Sequence, residues 1–233
     1  MKTEGIKLDK RLSAVASFVR EGVTLFDVGS DHAYLPAYLL TEGKIPFAYV
    51  CDIADGPLLR ANQTLINAEV LEKTKLCRAD GLCGIELVYP CDITIAGMGG
   101  ELICSIIDAK PELKNGEVRL ILQPMTKQET LREYLASNGF RTEIEITAEE
   151  GKYYTVIVCV YDGNKRELSP FELIFGKSGV RNEDESFISS VKAKLSVLKA
   201  VSDGKKQGGA DASYEDEIIQ QIEKMLNERG MRK

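Results

Sequence analysis

Histidine, paired cysteines and excess positive charge are all scarce in this 233-residue chain. His32 is the only histidine, and none of the six cysteines (Cys51, Cys77, Cys83, Cys91, Cys104, Cys159) forms a C-x-x-C pair. One histidine and scattered thiols offer no ligand spacing for zinc, so no metal is expected. The cysteines lie mostly in or beside apolar runs and read as small, reduced core residues of a cytosolic protein. Lysine and arginine number 30 against 36 acids, a net charge of −6. That argues against a bulk polybasic nucleic-acid binder, though a local basic face can still grip phosphate. No apolar run is long enough to span a membrane. The start, MKTEGIKLDKR, lacks the apolar core of a secretory signal. A cytoplasmic protein with no membrane partner is the expectation. What remains is ordinary: 44% hydrophobic and 28% charged residues, enough to bury one sizeable core.

Helical spacing puts Leu8, Leu12, Val15, Ala16 and Val19 on one face of residues 8–19, with Asp9 as a cap. EGVTLFDVG then reads as turn, strand and glycine turn. LPAYLLTEG is a short helix ending at Gly43, and FAYVCDI (47–53) is an apolar strand ending in an acid. GPLLRANQTLINAEV is a helix with Pro57 in its first turn, where proline is tolerated. Three further strands follow: TKLCRADGL, CDITIAGMGG (91–100) and EVRLILQPM (117–125), the last expected to stop at Pro124. ELICSIIDA and KQETLREYLASNG are helices, the second ending at Gly139. FRTEIEITAEE and YYTVIVCVY form a hairpin around Glu150-Gly151. Near-continuous apolar strands alternating with helices predict an α/β fold, a parallel sheet wrapped by helices, with an antiparallel element at one edge.

Composition changes after Tyr161. DGNKRELSP reads as a linker. Residues 185–204 and 213–230 both carry helical apolar spacing, joined by the polar turn KKQGGADA. The expected division is residues 1–162 for the α/β domain and 163–233 for a helical hairpin.

Ligands in such sheets bind at the C-terminal ends of the strands. Here those ends carry Asp27-Val28-Gly29, Asp52, Asp80-Gly81, Gly97-Met98-Gly99-Gly100 and Gln123-Pro124. Asp52 follows the first glycine turn by about twenty residues, where a carboxylate meets a ribose diol. Asp80 is suited to accept from an adenine amino group. Together they describe a pocket for an adenosine-bearing cofactor. A pyrophosphate wants G-x-G-x-x-G and a bare helix N-terminus. This turn is G-S-D-H-A-Y, with one glycine and an acid where phosphate would sit. Asp27 and Asp31 repel phosphate and suit a cation, which favours S-adenosylmethionine over a dinucleotide.

KRLSAVASFV, DVGSDHAYLP, DITIAGMGG and LILQP together resemble the bacterial tRNA (adenine-22-N1)-methyltransferase family. The likeness is dense over residues 8–161 and looser through the hairpin. It implies a class I methyltransferase domain, a Rossmann-like sheet with an antiparallel edge strand, and a coiled-coil-like C-terminal helical hairpin. It further implies S-adenosyl-L-methionine as donor and tRNA as acceptor. Position 22 rests on the resemblance alone.

On that reading Asp27, Gly29, Ser30, Asp52, Ile53, Asp80, Gly81, Gly97 and Met98 hold the cofactor. Asp31 and His32 are the catalytic candidates, Asp31 as a carboxylate that meets the charge developing on a methylated adenine. Lys10, Arg11, Tyr34, Met98, Gly99 and Gly100 are the substrate candidates. Each has a plainer reading. Asp31 could cap the next helix, Asp52 could cap the helix after it, the glycines could serve turns, and Lys10 and Arg11 could be a solvated face. The hairpin lysines Lys192, Lys194, Lys199, Lys205 and Lys206 are offset by acids and fit a tRNA face or a solvated one. A monomer is expected. The alternatives are a small-molecule methyltransferase, a non-catalytic RNA- or protein-binding module and, more distantly, a dinucleotide oxidoreductase.

Overall fold

The structure, a computed structural model, describes residues 6–229. Seven strands form one sheet: β1 Thr24–Val28, β2 Ala48–Asp52, β3 Thr74–Arg78, β4 Cys91–Gly99, β5 Val118–Thr126, β6 Phe140–Glu149 and β7 Tyr153–Tyr161. Their order is β3-β2-β1-β4-β5-β7-β6. The first five are parallel, and β7 runs antiparallel to both β5 and β6. The antiparallel element is therefore a hairpin whose returning strand sits one place in from the edge. Chain order reverses between β1 and β4, which opens a crevice at the C-terminal ends of those strands.

Alternate strand residues face opposite sides, so each face has its own core. Phe26, Val28, Leu120, Leu122, Ile157 and Cys159 pack with Ile103, Ile107, Leu131 and Leu135. Those partners lie on α4 (Gly100–Asp108) and α5 (Gln128–Ser137). Leu25, Val50, Ile121, Val156 and Val158 pack with Val15, Leu39, Ala61 and Leu65. These come from α1 (Lys10–Phe18), α2 (Tyr34–Thr41) and α3 (Asp55–Asn67). Asp9 caps α1 by accepting from the Leu12 amide at 2.6 Å, as its position in the sequence predicts.

Four expectations need correction. β5 does not stop at Pro124 but runs to Thr126. Pairing with β7 ends at Leu122, and the β4 register shifts around Gly97, so no ladder bond needs the missing proline N–H. The linker ends at Ser169, because Pro170–Phe175 is a helix, α6. Ser169 and Glu172 form its capping box with proline in the first turn, a signal present in the sequence as S-P-F-E. The next helix, α7, runs Glu185–Gln207, past Gly204. Lys205 and Lys206 hold that last turn through Glu215 and Asp216, each pair at 2.8 Å, on α8 (Ser213–Glu228). The expected end of α8 at Gly230 lies outside the described residues. Finally, Cys51, Cys91 and Cys159 are buried, but Cys83 is exposed, so it is not a core residue.

α6, α7 and α8 share a third core around Phe175, Phe187, Val191, Leu198, Ile218 and Ile222. This unit is locked to the sheet through a buried pair: Arg132 of α5 and Glu145 of β6 meet at 2.6 Å. Arg132 also donates to the carbonyls of Leu173 and Ile174, the last turn of α6, at 2.7 and 2.9 Å. Among the described residues no helix is long and apolar enough to cross a membrane, and no side-chain cluster could hold a metal ion.

Candidate active site

The crevice at the end of β1 has two lobes that share Val28 and Gly29. The first, of about 160 Å³, is lined by Asp52, Ile53, Ala79, Asp80, Gly81, Met98, Leu102 and Ile106. Ile53 and Leu102 are apolar yet 62% and 50% exposed, two greasy walls facing an opening. Asp52 accepts from the Ala54 amide at 2.9 Å, which turns the chain into α3 without capping it. The Asp80 carboxylate stands at the rim, exposed. A flat base flanked by aliphatic side chains, with acids at the ribose and amino positions, fits this lobe.

Gly29 joins the lobes. Its φ is +76°, and a Cβ there would overlap the Met98 side chain. Only glycine gives the turn this shape and leaves space above it. Asp27 is buried below the turn, at the floor of the second lobe described next. It accepts from Ser30 Oγ and, at 2.6 Å, from Thr94 Oγ1. Burial pushes its carboxyl above the ordinary carboxylate range, and the two hydroxyl bonds pull it partly back. Asp27 and Ser30 therefore build the turn from beneath.

The second lobe, of about 400 Å³, is lined by Asp9, Arg11, Leu12, Asp27, Ser30, Asp31, His32, Ala33, Tyr34, Leu35, Ala96 and Gly97. Asp31 does not cap α2, whose N-cap position is Ala33 with no side-chain cap bond. Instead Arg60 of α3 binds Asp31 Oδ1 through Nη2 and through Nε at 3.0 Å. His32 Nε2 lies 3.6 Å from the other Asp31 oxygen. The His32 ring stacks on Tyr34, centroids 5.2 Å apart and planes within 4°. An exposed aromatic pair beside a carboxylate can hold another flat ring.

Arg11 reaches this lobe and Lys10 does not. Arg11 Nη1 donates to Gln123 Oε1 at 2.8 Å, and its Nη2 lies 3.6 Å from Asp9. Gly97 faces the same lobe, but Gly99 and Gly100 line neither. A Cβ at Gly100 would overlap the Lys127 carbonyl, so this glycine lets α4 start against the end of β5. Four of the five hairpin lysines are paired with acids: Lys194 with Glu129, Lys199 with Glu223, Lys205 with Glu215 and Lys206 with Asp216.

Several site residues escape sequence reasoning. Thr94 could have been flagged as a hydroxyl inside an apolar strand; Gln123 stands among the strand-end residues singled out above, but its contact with Arg11 has no signal in the sequence. Arg60 and Leu102 carry no local signal, since helical surfaces hold such residues everywhere.

The methyltransferase-domain family matches residues 8–157. The tRNA (adenine(22)-N(1))-methyltransferase of Bacillus subtilis (strain 168) is 38% identical over 166 residues, 68% of this chain and 70% of that protein. This chain belongs to the tRNA (adenine-22-N1)-methyltransferase family. The family likeness extends to solved structures. The crystal structure of the B. subtilis m1A22 tRNA methyltransferase superposes with a TM-score of 0.75 at 29% identity, covering 97% of this chain and 100% of that one. A Streptococcus pneumoniae structure in complex with S-adenosyl-L-methionine does so with a TM-score of 0.79 at 33% identity, covering 94% and 100%. The match to these family structures thus includes the helical unit beyond residue 162.

Proposed function

We propose that this protein transfers the methyl group of S-adenosyl-L-methionine to N1 of adenine 22 in tRNA. The observation that carries the reading is the two-lobed crevice. One lobe suits an adenosine; the other is aromatic and carries charge of both signs; they meet at Val28 and Gly29. When bound, the cofactor would supply a methyl group on a sulfonium, whose departure as a neutral thioether needs no protein nucleophile or metal.

The chain's own residues bind, orient and compensate charge. Asp52 takes the ribose hydroxyls, Asp80 the adenine amino group, and Ile53 and Leu102 flank the base. Gly29, Gly81, Gly97 and Met98 shape the cavity, with Asp27 and Ser30 supporting the turn. Tyr34 and His32 receive the acceptor adenine, which must leave its base pair to reach them. Methylation at N1 makes that adenine cationic, and Asp31 supplies countercharge. Its bond to Arg60 means this countercharge is shared. Arg11 binds a phosphate of the acceptor strand. Lys10, Gly99 and Gly100 line neither lobe.

The division into a catalytic domain through residue 162 and a helical unit from 163 follows the three separate cores. The same reading makes the protein a cytoplasmic monomer that needs no metal. Sedimentation and an assay in chelator test those two points. The direct test is methyl transfer from labelled donor to unmodified tRNA with nucleoside mapping. N1-methyladenosine at position 22 is the expected product. Transfer to a small molecule but not to tRNA would favour the alternative reading of a small-molecule enzyme.

A further inference from the structure

β4 carries a register shift at Gly97: Ala96 pairs with Gln123, and Met98 pairs with Pro124. The extra residue cannot use the ladder, so its N–H needs another acceptor. Gln123 Oε1 is that acceptor, at 3.1 Å. The same oxygen accepts from Arg11 Nη1 at 2.8 Å. Gln123 has no exposed surface, and its Nε2 donates to the Pro124 carbonyl at 3.2 Å and to Met125 Sδ at 3.5 Å. The amide is thereby fixed with its oxygen towards the cleft.

Satisfying the Gly97 N–H accounts for one bond. The bond to Arg11 does not serve the bulge. It draws an arginine from α1 across the ends of β4 and β5 and holds it beside Gly97, in the acceptor lobe. A carbonyl oxygen does this without adding a second negative charge beside the guanidinium. Asp9 stands 3.6 Å from Nη2, and the remaining N–H groups of Arg11 are left for an anion, where its planar fork suits phosphate.

We infer that Gln123 is a positioning residue for tRNA methylation: its single side-chain oxygen sets the Arg11 guanidinium against the Gly97 turn, so that the phosphate-binding arm and the methyl-transfer site are in register. This rests on the methyltransferase reading above. The arginine arm lies on the acceptor side alone, so the adenosine lobe should not feel its loss.

The test is a double-mutant cycle with Gln123→Leu, Arg11→Met and both together, with Gln123→Glu as the conservative variant. Misplacement of about 1 Å at a reacting centre costs on the order of 100-fold in rate. Gln123→Leu and Arg11→Met should therefore each lower kcat/KM for tRNA by roughly 10- to 100-fold. The double variant should be no worse than the poorer single one, because both remove one arrangement. For Arg11→Met, S-adenosylmethionine affinity should stay within about twofold, since Arg11 does not line the adenosine lobe. Gln123→Glu keeps both acceptor contacts but adds a negative charge beside Arg11 and loses the donor to the Pro124 carbonyl, so its kcat should stay near normal while its KM for tRNA rises. Multiplying losses in the double variant, or an equal fall in cofactor affinity for Arg11→Met, would overturn the inference. If Gln123→Leu does not fold, Gln123→Glu decides: a folded protein as inactive as Arg11→Met overturns it, and near-normal kcat supports it. Absence of any transfer by the unaltered protein would refute the methyltransferase reading itself, a separate result.

Discussion

Glu145→Ala should cost more stability than any surface substitution, and the reason is charge left behind. The Arg132 and Glu145 side chains are 4% and 6% exposed. Three contacts join them: Nη2 to Oε1 at 2.6 Å, and Nε to Oε1 and Oε2 at 3.1 and 3.3 Å. Removing the carboxylate leaves a buried guanidinium with only the Leu173 and Ile174 carbonyls as partners. Breaking such a pair from one side costs about 3–5 kcal/mol. Replacing both partners with apolar residues, as Arg132→Met with Glu145→Leu, should recover most of that loss, because no unpaired charge remains. Urea unfolding followed by circular dichroism reads both effects by linear extrapolation. A loss below about 1 kcal/mol for Glu145→Ala, the scale of exposed pairs, would refute the argument. A double variant as unstable as the single one would do the same.

Asp27 gives a pH signature. Its carboxyl is held above the ordinary range by burial, so the folded chain binds that proton more tightly than the unfolded chain. Its contribution therefore falls as pH rises from the ordinary carboxylate range through the raised value. Asp27→Asn should flatten that slope and leave the apo protein at least as stable at neutral pH; denaturation at several pH values checks it, and a less stable variant at pH 7 would count against it. Asp52→Asn keeps an acceptor for the Ala54 amide but loses the charge. It should weaken S-adenosylmethionine binding by about tenfold or more, the scale of a hydrogen bond to a charged group. Calorimetry reads this directly, and unchanged affinity would remove Asp52 from the ribose. Thiol labelling of the native protein should reach Cys83 first. Burial pushes Cys91 up to about 12 and Cys104 up to about 11, and it raises Cys51 and Cys159 too, so these should react slowly until unfolding. Early labelling of Cys51, found by peptide mapping, would contradict the packing.

The strands and most helices were legible because burial writes a period into the sequence. The alternation of Leu25 with Phe26, and of Leu120 with Ile121, assigns residues to two cores in advance. Element ends were less legible wherever a distant partner holds them. α7 passes Gly204 because Glu215 and Asp216 pair with its last lysines. β5 passes Pro124 because its neighbours ask nothing of that nitrogen. The site divides the same way. Strand-end acids and glycines are marked by position, since α/β sheets always bind there. Arg60 and Gln123 matter only through what they touch, and a sequence does not print contacts between residues 31 and 60 or between 11 and 123.

The electrostatic case against a dinucleotide also changes once the turn is seen in three dimensions. Sequence alone counts two acids repelling a pyrophosphate. In the fold, Asp27 lies beneath the turn with its oxygens taken by hydroxyls, and Arg60 offsets Asp31. Repulsion is therefore weaker than the count suggests. Geometry takes over the argument. A pyrophosphate site needs a helix N-terminus at the glycine turn, with free amides aimed at the phosphates. Here the turn is followed by a buried Ser30 and a left-handed Ala33, and α2 begins only at Tyr34. The Ser30 amide is already spent on the Cys51 carbonyl, at 3.2 Å, and the Gly29 amide on the same oxygen at 2.8 Å. With those donors occupied, the turn has little to offer a phosphate. It can still accept a ligand that brings its own positive charge and asks for carboxylates and carbonyls. The choice of cofactor class thus rests less on the number of acids than on where the backbone has already used its N–H groups.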